Sequence, residues 1–466
     1  MSVTNTILQF NGNGALQHRG GTAAALASEN PTPKAREIMI ETDTNKFKIG
    51  DGVTAWNELA YASCNCSGSG DSGSQTGITG KFGYRIDKNN SDPATRVEYL
   101  FDAVGKTPAH MDFENDVFDY GDWANVWFVK DNKPLMLKSD GTVDYYLNPD
   151  NYDEKEDGTA SDVANTSYDG NAMAQIPLIW IKRYEDENYC YEIISNTQED
   201  EDFKAYAHTR ADGTIADYFY WGLFGASGNA TKMRSLSGQT RANTLPVQSF
   251  IDGAQANGSD WYIHTWSQRE CIRTLLILIG KSTDTQAVFG TGNCCSALSF
   301  SSVKTTGTLK DKGQFYGSSA NNQQVKVFHI EAFWGDQWTW TAGVINNNGT
   351  IYAKMTPEGD GYRVTDVTGY TNTGIIVPLS GYIKDCSCSE YGMIAKTTDG
   401  SGITYYPDYI WNYTVSNTNW LNYLFCGAGV AYPSAIGGAF SAFLSYAPSF
   451  ASWDIGGGLS CAMPAE

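Results

Sequence analysis

The pattern of apolar and polar positions divides this chain into stretches of different texture. Between Arg36 and Gly52, Ile38, Ile40 and Thr42 alternate with other residues, Asp43-Thr44-Asn45-Lys46 supplies turn chemistry, and Phe47-Lys48-Ile49 returns. This pattern predicts a β-hairpin. Ala23 to Ser28 is a short helix-prone stretch ahead of Pro31 and Pro33. Two short strands bury too little to stand alone, so partner chains are expected to complete this unit. Ser63 to Gly80 is mostly Ser and Gly, the composition of a flexible spacer and hence of a domain boundary. From Lys81 onward, short aromatic-rich runs are separated by Asn, Asp and Gly. Trp123 to Lys130, Ile176 to Tyr184, Tyr189 to Ile194 and Val325 to Phe333 read as strands. Asn148 to Ala174, acidic and rich in Tyr, Asn and Ser, reads as an exposed insertion. Ser267 to Gly280 has helical length and an apolar face from Cys271 to Ile279, with Ser267 as cap and Glu270 three residues on. No repeat of roughly 20 to 50 residues is visible, which speaks against a solenoid or propeller.

The last texture is the most unusual. Cys426 to Cys461 contains no Lys, Arg, Glu or His, and Asp454 is its only formal charge. Small or apolar pieces (Gly437-Gly438-Ala439-Phe440, Ala447-Pro448-Ser449, Trp453, Ile455-Gly456-Gly457) are interleaved with short runs of unlike residues. Tyr, Ser, Ala and Gly with an occasional Phe is the vocabulary of surfaces that bury rigid rings at low entropic cost. The plain alternative is a Gly/Ser/Ala-rich hairpin packed on the core.

Charge narrows the classes of partner. The 466 residues carry 32 Lys and Arg against 52 Asp and Glu, a net charge of −20, which argues against a phosphate-binding surface and so against nucleic acid. No signal peptide is recognisable at the start, and no apolar run approaches the roughly twenty residues of a membrane span. The 10 Cys are expected to be reduced and often buried in a chain made in the cytoplasm. Cys64 with Cys66, and Cys386 with Cys388, have one-residue spacing unlike zinc knuckles, so neither metal nor cofactor is expected. A serine-hydrolase elbow, a P-loop, a dinucleotide fingerprint and a His-Glu-x-x-His helix are absent.

Three resemblances follow from these residues. Gly437-Gly438-Ala439-Phe440, Leu444, Ala447-Pro448-Ser449, Trp453, Ile455-Gly456-Gly457 and Leu459-Ser460-Cys461 resemble the variable region of proteins diversified by retroelements. Gly458 departs from it, since relatives often have Arg there. The resemblance implies that Ser441, Ala442, Phe443, Ser445, Tyr446, Phe450, Ala451, Ser452 and Asp454 are variable, receptor-binding positions, with Val430, Ala431, Tyr432 and Ala435 aligned less closely. Arg19-Gly20-Gly21-Thr22, Arg36-Glu37, Glu41-Thr42-Asp43-Thr44, Gly50-Asp51-Gly52 and Trp56-Asn57-Glu58-Leu59 resemble the N-terminal repeat of phage tail-fibre and tropism-determinant proteins. In that family the repeat is an intertwined trimeric β-prism attached to the virion. Phe333-Trp334-Gly335-Asp336-Gln337-Trp338-Thr339-Trp340 resembles the core motif of the C-type-lectin-like fold, in the branch shared with formylglycine-generating enzymes. Phe219-Tyr220-Trp221-Gly222 and Met233-Arg234-Ser235 resemble the insert that precedes its helix. A calcium-dependent lectin would carry Trp-Asn-Asp where this chain has Trp411-Asn412-Tyr413, and oxidation through Cys426 and Cys461 lacks the surrounding residues such chemistry uses.

The resulting expectation is a mainly β chain. A small β-prism-like trimerisation unit spans residues 1–62, a linker 63–80, and an α+β C-type-lectin-like domain 81–466, with its variable segment at 426–461. The resemblances imply a non-enzymatic homotrimer on a phage or prophage tail, made in the bacterial cytoplasm. It would meet a host-surface protein or glycan through the variable segment and other tail proteins through the N-terminal unit. A tail polysaccharide depolymerase and a bacterial surface adhesin are the alternatives.

Overall fold

The structure is a computed structural model that describes residues 9–10, 16–17, 19–44, 46–59, 77–359, 361–413, 421–433 and 436–462. It divides into two units, Met1–Gln75 and Thr76–Glu466. In the first, strand Ile38–Glu41 pairs antiparallel with Phe47–Ile49 and parallel with Arg19–Gly21. The hairpin and the helix Ala23–Glu29 form where the pattern places them. Thr22 caps the helix by accepting from the Ala25 N–H, and Asn30 ends it in a left-handed conformation, each satisfying backbone groups that a helix end leaves bare. The motif residues bond to one another. Asp43 accepts from the Ala23 N–H at 2.8 Å, Asp51 from the Val53 and Thr54 N–H groups, and the buried Lys48 donates to the Trp56 carbonyl at 2.7 Å. The buried apolar core described here is Leu26, Met39 and Trp56, far too small to carry a fold by itself.

The second unit is mainly β. Among the described residues, one seven-stranded sheet runs 151–155, 143–148, 133–138, 170–177, 218–222, 459–462, 261–263, and a four-stranded sheet runs 180–185, 189–195, 81–87, 97–101. The third sheet runs 371–376, 350–353, 338–347, 421–426, 442–443, 409–411, 381–382, and 455–456 joins it parallel to 338–347. Helix Trp266–Gly280 lies in the core, with 266–279 all buried. Its cap is Thr265, which accepts from the Gln268 N–H and donates to the Gln268 side chain at 2.9 Å. The capping chemistry read at Ser267 and Glu270 therefore sits two residues earlier, because Glu270 is needed inside. There Arg273 bonds both Glu270 and Glu192 at 2.8 Å, Arg183 bonds Glu192, and Glu270 accepts from the Met393 N–H at 2.7 Å.

Several strand expectations give way to tertiary packing. Trp127–Lys130 is a single helical turn, since Trp123, Trp127 and Phe128 all pack inward, which alternation along a strand would forbid. Val325 to Phe333 is a tight hairpin of strands 326–327 and 330–331, with Phe328 and His329 at positive φ. Asn148 to Ala174 is not a free insertion, because 151–155 is an edge strand and 170–174 is a buried part of its sheet. The Ser/Gly stretch ends early. Ile78 donates its N–H to the Asn125 carbonyl and accepts from the Trp127 N–H, so residues 77–80 belong to the second unit. Cys64 and Cys66 lie outside the described residues.

Candidate binding face

The C-terminal stretch leaves strand Leu421–Cys426, lends residues 442–443 to the same sheet, returns at 455–456 and finishes as strand Leu459–Ala462 in the other large sheet. The tryptophan-rich motif fixes both ends of the excursion. The Gly335 N–H donates to the Gly427 carbonyl, the Val430 N–H to the Asp336 carbonyl and the Trp338 N–H to the Asp454 carbonyl, at 2.6, 2.9 and 2.9 Å. The Gln337 amide reaches the Trp453 carbonyl at 3.2 Å. Asp336 is itself buried, ion-paired with Arg241 and accepting from Asn293 and the Lys304 N–H. The middle of the excursion is tied as well, Thr244 N–H to Ser452, Val247 N–H to Pro448 and Tyr423 N–H to Tyr446, all on carbonyls. Main-chain groups of the stretch make these bonds, so they hold whatever side chains stand there.

The pieces between the proposed variable runs are packed. Phe440 and Leu444 are buried, and Trp453 is half-buried. A Cβ on Gly438 would lie 2.1 Å from Asp408 Oδ1, the carboxylate that accepts from the Phe440 N–H at 2.7 Å. At Gly458 a Cβ would fall 1.9 Å from the His264 ring, which stacks on Trp221 with centroids 3.6 Å apart. Glycine stands at that departure from the family pattern because an imidazole fills the space.

The proposed variable positions fall into two groups. Val430, Ser441, Ala442, Phe443 and Ser445 are buried within the chain. Ser441 donates to the Ile436 carbonyl, and Ser445 accepts from the Tyr413 N–H. Ala431, Tyr432, Tyr446, Phe450, Ala451, Ser452 and Asp454 are half-buried and form the accessible group. Ala435 lies outside the described residues. Phe443 joins interior to surface. Its ring is stacked on Trp411, on Phe425 at 4.9 Å and on Tyr446 at 4.7 Å, and Tyr446 stacks on Phe450 at 3.7 Å with the planes 4° apart. Tyr432 meets Trp338 and Trp411 edge-on. The result is a column of parallel rings that runs from the core to the surface.

Sequence reasoning missed the second contributor to this face. Tyr409, Trp411 and Tyr413 fall at alternate positions on and just after strand Tyr409–Trp411, so their rings share one side of it. Tyr413 is 56% exposed with its ring 5.6 Å from Phe443. The i, i+2, i+4 aromatic spacing was the available signal, but only the parallel pairing of 409–411 with 442–443 brings it to the C-terminal stretch.

Burial, then the Asp454 charge, pushes the Tyr432 and Tyr446 hydroxyls above their ordinary value, so both stay neutral donors. Ser452 donates to the Asp454 carboxylate. The face thus offers flat apolar rings, hydroxyl rims and a single carboxylate, a set suited to adhesion. Cys426 and Cys461 are both buried, with thiols pushed up by that burial, the opposite of an activated nucleophile. Among the described residues no group of three or more His, Cys, Asp or Glu is placed to hold a metal.

Residues 16–54 match the family model "Major tropism determinant N-terminal domain". Among solved structures, the "Major Tropism Determinant M1 Variant" is 14% identical, with 97% of this chain and 100% of that chain covered and a TM-score of 0.28. The "Major Tropism Determinant P3c Variant" is 13% identical, with 96% and 98% covered and a TM-score of 0.27. No curated protein sequence matches the chain. It is residues 16–54 of the N-terminal unit that are similar to the Major tropism determinant N-terminal domain.

Proposed function

We propose that this chain is the receptor-binding protein of a phage or prophage tail. Its second unit, of C-type-lectin-like character, grips a host-surface protein or glycan with the accessible rings of its C-terminal stretch. The observation that carries the reading is the ring column ending in Tyr446 and Phe450, set on a backbone held by main-chain bonds. Such a frame tolerates changed side chains at 431, 432, 446, 450–452 and 454, which is what diversification of a binding face requires. The N-terminal match supports attachment to a tail through the first unit. Three copies would add weak sites through avidity. Binding without turnover is the proposed activity.

The test replaces Tyr446 and Phe450 together by Ser. Adsorption to host cells is expected to fall by at least tenfold, because an aromatic anchor at an interface contributes about 2 kcal/mol or more. The fold should lose only about 1 kcal/mol, the worth of a stacked ring pair at the surface. Full adsorption by the folded double variant would remove the face from the proposal. Release of new reducing ends from capsule by the parent protein would replace binding with depolymerisation. Flanking DNA that encodes a reverse transcriptase and an adenine-rich near-copy of the Cys426–Cys461 coding stretch would support diversification.

A further inference from the structure

The loop at residues 293–303, Asn-Cys-Cys-Ser-Ala-Leu-Ser-Phe-Ser-Ser-Val, has no charged residue on a chain of net charge −20. Its composition resembles that of the C-terminal stretch, and the two are zipped together. Cys295 bridges Pro433, the Ser296 N–H donates to the Tyr432 carbonyl at 3.2 Å, and the Ala297 N–H donates to the Val430 carbonyl at 2.9 Å. Both ends of the loop are fixed to the same buried carboxylate that frames the binding face. Asn293 bonds Asp336 and the Ser302 carbonyl at 2.7 and 2.9 Å, and the Lys304 N–H bonds Asp336 at 2.8 Å. The loop is therefore positioned by the same groups as the face beside it. At its tip Leu298 is 90% exposed, with Phe300 half-buried nearby in sequence.

A leucine left in water on a loop held this firmly gains nothing for the fold, whereas the same side chain beside a receptor site adds apolar area to be buried on binding. We infer that residues 295–300 form a fixed shoulder of the receptor-binding face and contact the same host-surface receptor on an uncharged, apolar part of its surface. This rests on the proposed receptor-binding reading. It adds to that reading a contact that does not vary with the C-terminal stretch. The partner's chemistry follows from the surface on offer. The shoulder brings methyl groups, a ring and hydroxyls, and no charge with which to pair a charged epitope.

Full-length protein decides the matter through two probes of the shoulder. Leu298→Asp places a charge at the tip, and modification of Cys295 with a polyethylene-glycol maleimide covers its base. Cys295 is exposed, and the other cysteines among the described residues are buried. Each is expected to lower adsorption to host cells about tenfold or more, while the melting temperature and the number of chains per particle stay those of the parent. Reagent-treated Cys295→Ser protein should adsorb normally, as should Val104→Asp, a charge placed at another exposed apolar residue. If Leu298→Asp and Cys295-modified protein adsorb at full strength while Tyr446→Ser/Phe450→Ser protein does not, the shoulder is wrong and the face stands. If the Tyr446/Phe450 variant also adsorbs fully, the underlying reading fails. A change in mass on Leu298→Asp would assign the loop to contact between copies of this chain and overturn the inference.

Discussion

Single residues in the C-terminal stretch divide by burial, and the division has measurable consequences. Phe443 is 1% exposed inside the ring column, so it belongs to the core even though the family pattern groups it with Tyr446 and Phe450. Phe443→Ala should cost about 3–5 kcal/mol in chemical unfolding, several times the cost of the Tyr446/Phe450 pair. Comparable stability of the two variants would refute the column as described. Asp408 supplies a pH test. Its burial lifts the carboxyl from 3.8 to about 8, against the bond it accepts from the Phe440 N–H. A carboxyl raised in the folded state is fully favourable below the unfolded value, near 4, and its contribution is lost as pH rises toward 8. Between pH 6 and 9 the parent should therefore lose on the order of 2 kcal/mol more stability than Asp408→Asn. Parallel stability curves for the two proteins over that range would show the carboxyl to be ordinary.

At the scale of elements, the buried helix is held by charges as much as by its apolar face. Burial works against the Glu192 carboxyl, yet Arg273 and Arg183 together bring it down to about 2. Removing one partner of such a cluster leaves a buried charge uncompensated. Arg273→Met is expected to destabilise by about 3–5 kcal/mol, measured by denaturant titration at neutral pH. A loss below about 1 kcal/mol would mean that solvent reaches the cluster. The same element carries a lesson about pattern. The periodicity read over Ser267 to Gly280 located the helix correctly, and Cys271 to Ile279 is buried as expected. Its polar residues also point into the protein, because strands 189–195 and 392–397 supply Glu192 and the Met393 N–H.

For the whole molecule, the first unit raises the question of assembly. Its described apolar core of Leu26, Met39 and Trp56 is small for an independent fold, which is the reason to propose completion by other copies. Full-length protein should have three times the chain mass in light scattering, and a chain starting at Thr76 should be monomeric. A full-length monomer at micromolar concentration would end that proposal. In the second unit, the C-terminal stretch lies in both large sheets. Truncation before Leu459 should therefore unfold the unit, since it removes the strand that separates 218–222 from 261–263.

The N-terminal hairpin, its helix and the local turn bonds could be read from sequence because they are short-range. Alternation, capping and Asx chemistry each act within a few residues, as at Thr22 and Asp51. The tryptophan-rich motif and the charge-poor C-terminal stretch were legible for the same reason, through composition and fixed spacing. Exposure was not. Whether a position in 430–454 faces water depends on strand 409–411, which pairs with 442–443, and on the loop 293–303 zipped to 430–433. Those contacts join segments distant in the chain, and no local pattern encodes them. Sequence alone thus determined which stretch is poor in charge and built of small residues and aromatic rings. The tertiary structure decided that Phe443 is core, that Tyr446 and Phe450 are surface, and that Tyr413 stands beside them, because burial is a property of what packs from elsewhere.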